Sequence, residues 1–428
     1  MTDDRPYTEF ELEPQDLIRR SNLVLRVGHL MLGAGTSSLR VQQSMQRVAR
    51  ALGLDRLQAQ ITFTNIVATV HRGPIFRTQI GVVTTPGVNA DRIKEIQRFS
   101  RELHPSMSAD DIAERLDAIE RRAPLHPSWL VTLAVGLACA SVGFLNQTGG
   151  RDLLAVLLAG CASFMVHRRL LASRLNLFGA VAISTMVADV VYLALLMGLH
   201  GGRLGSVPHI AAGFMAVSIF LVPGFPLLTG SLDIARLDLQ AGMGRIVYAG
   251  VVMLSMGIGS WSIATVVGLQ PSDSPPLDLP SAAQWTLRVA ASFLAVFGWA
   301  IMFNSPLRES VASAIIGIVG GVVRLGLLDA GVVAHLATFI GALVIGLTIH
   351  LVSRRLRLTR LIMLVPTLLV MIPGAPALRA LLYFNSGDLM GALQNGITVV
   401  LQVLAMVCGL VASMMLLDRA WAFTRNDR

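Results

Sequence analysis

Between residues 128 and 417 one mostly apolar run follows another, and that succession constrains the chain more than any single motif. A helix needs about 20 apolar residues to cross a bilayer. A window of that size picks out ten candidates, at roughly 128–146, 152–167, 175–199, 207–230, 244–269, 283–303, 307–324, 327–352, 360–384 and 390–417. The second and seventh are short, and the tenth, "GALQNGITVVLQVLAMVCGLVASMMLL", is long enough to tilt. In hydrocarbon a spanning segment must satisfy its own peptide groups, which a helix does. The expected fold is an α-helical membrane protein with ten transmembrane helices.

The charge is unevenly spread. Residues 1–127 carry 17 Lys+Arg and 15 Asp+Glu, whereas residues 128–428 carry 18 and 11. The first third therefore reads as a small α+β soluble domain, with helices near 14–32, 36–52, 89–103 and 108–121 and two strands at 58–71 and 74–84. "QAQITFTNIVATVHRG" is β-branched and partly alternating, and "HRGP" supplies a turn. Met1 to Pro14 is acidic and has no apolar core, so no cleavable signal peptide is expected. Cys139, Cys161 and Cys408 all lie in apolar runs and read as small packing residues, with neither a disulfide framework nor a metal site implied. The net charge of +9 comes largely from arginines in short loops between spans, which fits membrane orientation better than a nucleic-acid surface.

Cytoplasmic loops are enriched in Lys and Arg. Counted as loop residues, Arg168, Arg169, Arg174, Arg236, Arg245, Arg308, Arg354, Arg355, Arg357 and Arg360 fall after even-numbered spans, ten against the three (Arg151, Arg203, Arg324) after odd-numbered ones. Both termini are thus expected in the cytoplasm of a cell that holds the protein in its inner membrane. Arg121 and Arg122, just before the first span, agree.

Two spans contain a word that a helix should avoid. "LVPGFPLLTG" at 221–230 and "MIPGAPALRA" at 371–380 each carry PGxP, 150 residues apart. Proline lacks the N–H and crowds the preceding turn. The words fall in the fourth span of each group of five, which suggests a duplication. With five helices per unit, the second copy enters the membrane upside down, giving two inverted five-helix repeats at about 128–270 and 283–417 after a cytoplasmic domain at 1–127. Interrupted helices in such repeats free peptide groups near the midplane, where a polar solute can be held. Pro223, Gly224, Pro226, Pro373, Gly374 and Pro376 are accordingly the candidate substrate-binding residues, the glycines letting substrate approach the backbone.

The sequence also resembles the threonine/serine exporter family. The resemblance rests on "GAGTSSLRVQQSMQRVARALGL" (33–54), "PGFPLLTGSLDIARLDLQAGMGRIVYA" (223–249) and "LVPTLLVMIPGAPALRAL" (364–381), and covers nearly the whole chain. It implies a cytoplasmic N-terminal domain followed by ten helices, and export of small amino acids driven by protons. Some members are split into two chains near the boundary between the five-helix units and are associated with dicarboxylate export. Where the family commonly has glutamate after the Arg-Val of its N-terminal motif, this chain has Gln42 after Arg40–Val41, which removes an acid–base role there.

Charges deep in a membrane are expensive and usually functional. Asp189, near the middle of the third span, is the candidate proton-coupling carboxylate, against the alternative of a structural pairing. His335 in the eighth span is a second candidate, with Thr338 one turn on; imidazole titrates near neutral pH. Asp233 and Arg236, with Asp238, follow the first PGxP and could gate the inner mouth or form a solvated helix end. Arg379 reads as a residue that snorkels to the interface. Thr36, Ser37 and Ser38 look like an N-cap cluster. No GxSxG, Walker A or HExxH word occurs, so neither an enzyme nor a cofactor is expected. The reading is a secondary exporter of small amino acids, with a dicarboxylate exporter as runner-up. A membrane-anchored hydrolase using residues such as His71 is the alternative of another class. The N-terminal domain could regulate access, stabilise the inner face or mediate homo-oligomerisation.

Overall fold

The computed structural model describes residues 15–84, 87–104, 107–202, 210–271 and 276–418. They fall into two compact units. One comprises the N-terminal part to Pro124 together with Phe225–Ile246, and the other comprises Leu125–Gly224 and Val247 onward.

In the first unit, α1 (Gln15–Gly33) and α2 (Ser38–Ala51) precede a three-stranded antiparallel sheet of β1 (Arg56–Ile61), β2 (Asn65–Arg72) and β3 (Ile75–Val82) in that spatial order. The expected single strand at 58–71 is two strands. Thr62 N donates to Asn65 O at 2.8 Å and Asn65 N to Thr62 Oγ1 at 3.0 Å, closing a hairpin over Phe63 and Thr64. The threonine hydroxyl supplies the turn that sequence reading sought in Gly or Pro, and neither occurs between Leu57 and Val70. Two helices complete the unit's N-terminal part: α3 (Ala90–Glu102), capped by Asn89, and α4 (Ala109–Glu120), opened by a reciprocal Ser108–Asp111 capping box. Val24, Val27 and Met31 of α1, Val41, Met45 and Val48 of α2, Ile66 and Val70 of β2, and Ile112 and Leu116 of α4 form one core. Each such side chain contributes about 1.5–3 kcal/mol by leaving water.

The remaining helices are α5 (Ser128–Leu145), α6 (Asp152–Ala172), α7 (Leu177–Leu199), α8 (Ile210–Ala216, continued by a 3-10 turn at Ile219–Leu221), α9 (Gly224–Ile234), α10 (Leu239–Val266), α11 (Ser281–Met302), α12 (Leu307–Asp329), α13 (Ala334–Leu356), α14 (Arg360–Leu369), α15 (Gly374–Asn385) and α16 (Leu389–Leu417). Eight of these are long and apolar enough to cross a membrane, and there are up to ten spans if each of two bent pairs counts as one. The chain is an α-helical membrane protein. The spans expected to be short at 152–167 and 307–324 are full-length helices of 21 and 23 residues. The apolar windows stop at His167 and Arg324, yet α6 continues through Arg168 and Arg169 to Ala172, and α12 through Leu325–Leu328 to Asp329.

Within the second unit the packing has a recurring order. Helix α6 packs on α5, α7 and α8, and α8 also packs on α5 and α7. Likewise α12 packs on α11, α13 and α14, and α14 also packs on α11 and α13. Close crossings are made by small residues, as is usual in membranes. A methyl group at Gly259 of α10 would stand 2.7 Å from the Ala182 carbonyl of α7, and one at Gly409 of α16 would overlap the Phe339 carbonyl of α13.

Candidate functional site

The two PGxP words are where the bent pairs bend. The axis turns by 70° between Ile210–Leu221 and α9, and by 45° between α14 and α15. At each break the glycine N–H is drawn back to the residue two before it, Gly224 to Val222 at 2.8 Å and Gly374 to Ile372 at 2.9 Å. The new helix then starts with proline as its third residue, Pro226 or Pro376. A missing N–H costs nothing there, because the first turn's donors have no partner within the helix. Pro223 and Pro373 stand immediately before the restart.

The breaks close on each other. A methyl group at Gly224 would overlap Leu369, the last residue of α14, and one at Gly374 would stand 3.0 Å from Met215 Cε and 3.7 Å from Ile219 Cδ1. The contacts Gly224–Leu369 and Gly374–Ile219 are related by the same 150-residue step on both sides. The space expected for substrate at each glycine is filled by a side chain of the other bent pair. The turns that follow also correspond at that step. Leu237 and Gly387 both have positive φ, 63° and 83°. Asp238 N donates to Asp233 O and Asp388 N to Tyr383 O, both at 3.0 Å. Asp238 and Asp388 accept from Ala241 N and Gly391 N.

Asp189 lies at the centre of α7 with no solvent exposure. One carboxyl oxygen, Oδ2, accepts from Ser260 Oγ of α10 at 2.9 Å. Among the described residues the other, Oδ1, is buried without a hydrogen-bond partner. A carboxyl held by one neutral hydroxyl is poorly compensated as an anion and well suited to carry a proton.

In the first unit, Asp233 near the end of α9 forms an ion pair with Arg245 of α10, both 2% exposed. Arg245 Nη2 also donates to the Thr36 carbonyl at 2.9 Å. Ser38 Oγ lies 3.1 Å from Asp233 Oδ1 and 2.6 Å from Asp238 Oδ2, sharing its proton between two carboxylates. Ser37 occupies the N-cap position of α2, but its side chain makes no capping bond. Of the three hydroxyls read as a cap, that of Ser38 holds Asp233 and Asp238, while Thr36 contributes its backbone carbonyl.

A family model described as "Putative threonine/serine exporter" matches residues 22–268, and a second, described as "Threonine/Serine exporter, ThrE", matches residues 288–416. The chain belongs to the threonine/serine exporter family. Relatives within reach of sequence comparison include the probable threonine/serine exporter of Mycobacterium tuberculosis (strain ATCC 25618 / H37Rv), 25% identical over 86% of this chain and 70% of its own length. The probable succinate transporter subunit YjjP of Escherichia coli (strain K12) is 29% identical over 61% of this chain and 98% of its own length. Pheromone-regulated membrane protein 10 of Candida albicans (strain WO-1) is 23% identical over 87% of this chain and 34% of its own length. No solved structure matches. Members of this family are multi-pass membrane transporters, and this chain is one by its family and its apolar helices.

His335 lies in the helix of the eighth apolar run, exposed in the first turn of α13. Arg236 lies in the α9–α10 turn, and the described ion pair of Asp233 is with Arg245. Arg379 sits in α15, part-buried. His71 lies against Phe76 of the neighbouring strand, the rings tilted and their centroids 5.8 Å apart. Eight of the arginines counted as loop residues lie within helices: Arg168, Arg169, Arg308, Arg354, Arg355 and Arg360 close to helix ends, Arg245 in the second turn of α10, and Arg324 inside α12. Arg203 lies outside the described residues. Sequence reading also missed Ser260. A serine in a membrane helix ordinarily bonds its own backbone, as Ser255 does one turn earlier, so the sequence gives no sign of its partner.

Proposed function

We propose that the protein is a proton-coupled secondary exporter of small amino acids, threonine or serine, working by alternating access between two inverted five-helix repeats. The reciprocal closure of the two breaks carries this reading. Gly224 against Leu369 and Gly374 against Ile219 are the pair of contacts that a two-fold relation between repeats produces. The equal spacing of the turns, the matching packing order of α5–α8 and α11–α14, and the junction between the two family matches at residues 268–288 all support duplication.

In this conformation apolar side chains plug the breaks. Rocking one repeat against the other withdraws Leu369 from Gly224 and Ile219 and Met215 from Gly374. That exposes peptide groups around Pro223, Gly224, Pro226 and Pro373, Gly374, Pro376 to a polar solute. Asp189 supplies the proton site. The second repeat has no counterpart: counted from the starts of α7 and α13, Asp189 corresponds to Gly346, and 150 residues beyond Ser260 stands Leu410. A methyl group at Gly346 would overlap Ser413 of α16 and lie 3.5 Å from Leu410 Cδ1. One repeat therefore carries the proton and the other packs in its place. Both termini are cytoplasmic in this reading, and the Asp233–Arg245 pair with Ser38 braces the cytoplasmic end of the first break.

Dicarboxylate export is the second reading, favoured by the similarity to the E. coli protein named as a succinate transporter subunit. Counterflow in proteoliposomes with threonine, serine, other amino acids and succinate tests both. Exchange of threonine or serine alone supports the first, exchange of succinate alone the second, and exchange of none removes both.

A further inference from the structure

The described helices of the second unit hold an arginine whose charge is not answered. Arg324 is the eighteenth of the 23 residues of α12, five from its end, or about 7–8 Å along the axis. A charge at that depth is costly unless it is paired or used. Arg324 is half-buried, whereas the two fully buried arginines in the described helices have acids: Arg245 has Asp233, and Arg288 has Asp329, with the Trp285 ring 4.9 Å from its guanidinium carbon. Asp329 is the acid nearest in sequence to Arg324, and it is already engaged. Among the described residues Arg324 makes one side-chain hydrogen bond, from Nε to Thr338 Oγ1 at 3.1 Å.

Thr338 is fully buried and donates its own proton to the Ala334 carbonyl at 2.7 Å, so its oxygen is left to accept. That bond fixes the guanidinium plane through Nε and leaves the edge formed by Nη1 and Nη2 without an acceptor among the described residues. This is the edge that binds a carboxylate through two parallel bonds.

The position is next to the second break. Gly341, three residues beyond Thr338 on α13, is where two groups converge: a methyl there would stand 2.9 Å from Met371 Cε and 3.2 Å from Arg324 Cβ. Gly320, one turn before Arg324 on α12, also faces Met371, at 3.2 Å. Met371 belongs to the short stretch between α14 and Pro373. Arg324, Thr338 and the broken backbone thus converge on one locus of the bundle.

We propose that Arg324 binds the carboxylate of the transported molecule beside the second break, with Thr338 as the residue that sets the angle of the guanidinium. The inference rests on the exporter reading but not on which solute is exported, since amino acids and dicarboxylates alike present a carboxylate. It differs from a snorkelling arginine in a way that can be measured. An arginine that merely anchors α12 at the interface is replaceable by lysine, whose ammonium reaches water equally well but cannot make two parallel bonds.

The full-length protein in proteoliposomes is assayed for counterflow of threonine, serine and succinate, and for inhibition by threonine amide, which lacks the anionic group. Wild type is expected to prefer threonine over its amide by at least tenfold. Arg324→Gln should raise KM for the acid by about 10–100-fold, the loss expected for charge-assisted hydrogen bonds, and bring the acid-to-amide preference close to one. Arg324→Lys should recover part of the preference, and Thr338→Val should raise KM severalfold with little change in maximal rate. Lys and Val preserve bulk, so they carry the comparison if the glutamine variant does not fold. Wild-type KM and preference in Arg324→Lys and Thr338→Val would overturn the proposal while leaving the exporter reading intact. Wild-type vesicles that move none of the carboxylates would overturn the exporter reading and the proposal together.

Discussion

At the scale of single residues, the deciding quantity is how fully a buried polar group is answered. Among the described residues Asp189 has one hydroxyl partner and one oxygen without a partner, an arrangement that tolerates the acid better than the anion. Asp189→Asn keeps shape and hydrogen bonding but cannot release a proton. It is expected to abolish pH-gradient-driven efflux while leaving protein in the membrane, read from initial rates with and without an imposed gradient. Unchanged pH dependence in that variant would make Asp189 structural. Ser260→Ala should shift the pH profile without abolishing transport. In the N-terminal part, His29 packs over Gly81, where a methyl group would overlap its ring, and burial lowers its pKa below the usual 6.5. The folded form then binds fewer protons than the unfolded one below that pH. Stability from this residue is complete above about 6.5 and declines as pH falls through the folded value. Wild type should lose thermal stability of this region between pH 7 and 5 more steeply than His29→Phe, as measured by unfolding scans at stepped pH.

At the scale of elements, PGxP works as punctuation. It ends one helix, turns the axis and restarts a second helix with a proline in its first turn, where the lost donor is harmless. The glycine's role is decided by its neighbour, since Leu369 fills the space at Gly224. Gly224→Val should cost about 1–3 kcal/mol of stability by overpacking and block efflux. Adding Leu369→Ala should restore much of the stability, because the cavity it opens accepts the new methyl groups. Stability in detergent and counterflow on the single and double variants check this. No recovery in the double variant would mean that Leu369 is not what the glycine accommodates.

At the scale of the whole molecule, the compact units do not follow chain order. Phe225–Ile246 groups with the N-terminal part, and its buried ion pair is completed by the Thr36 carbonyl and the Ser38 hydroxyl. Arg245→Met leaves Asp233 buried and uncompensated, and should cost about 3–5 kcal/mol. Removing both charges, as Asp233→Leu with Arg245→Met, should recover most of that, since apolar pairs of similar volume replace buried ion pairs at little net cost. Thermal unfolding of the two variants side by side measures the difference.

The helical membrane class, the number of apolar runs and the positions of both breaks were legible in the sequence, because each follows from local chemistry. Apolar length needs no partner, and proline breaks a helix wherever it lies. Asp189 was legible for the same reason, since a carboxylate amid apolar residues stands out without knowledge of its surroundings. Ser260, Arg245 and Arg324 were not, because their significance lies in partners 71, 12 and 14 residues away along the chain. The exposure of His335 was not legible either, because hydropathy does not mark where a helix begins among apolar neighbours. The sequence by itself thus determined where the chain had to be helical and where it had to break. Only the tertiary structure decided which side chains fill those breaks and which buried charges are answered, because both depend on contacts between helices that no local pattern encodes.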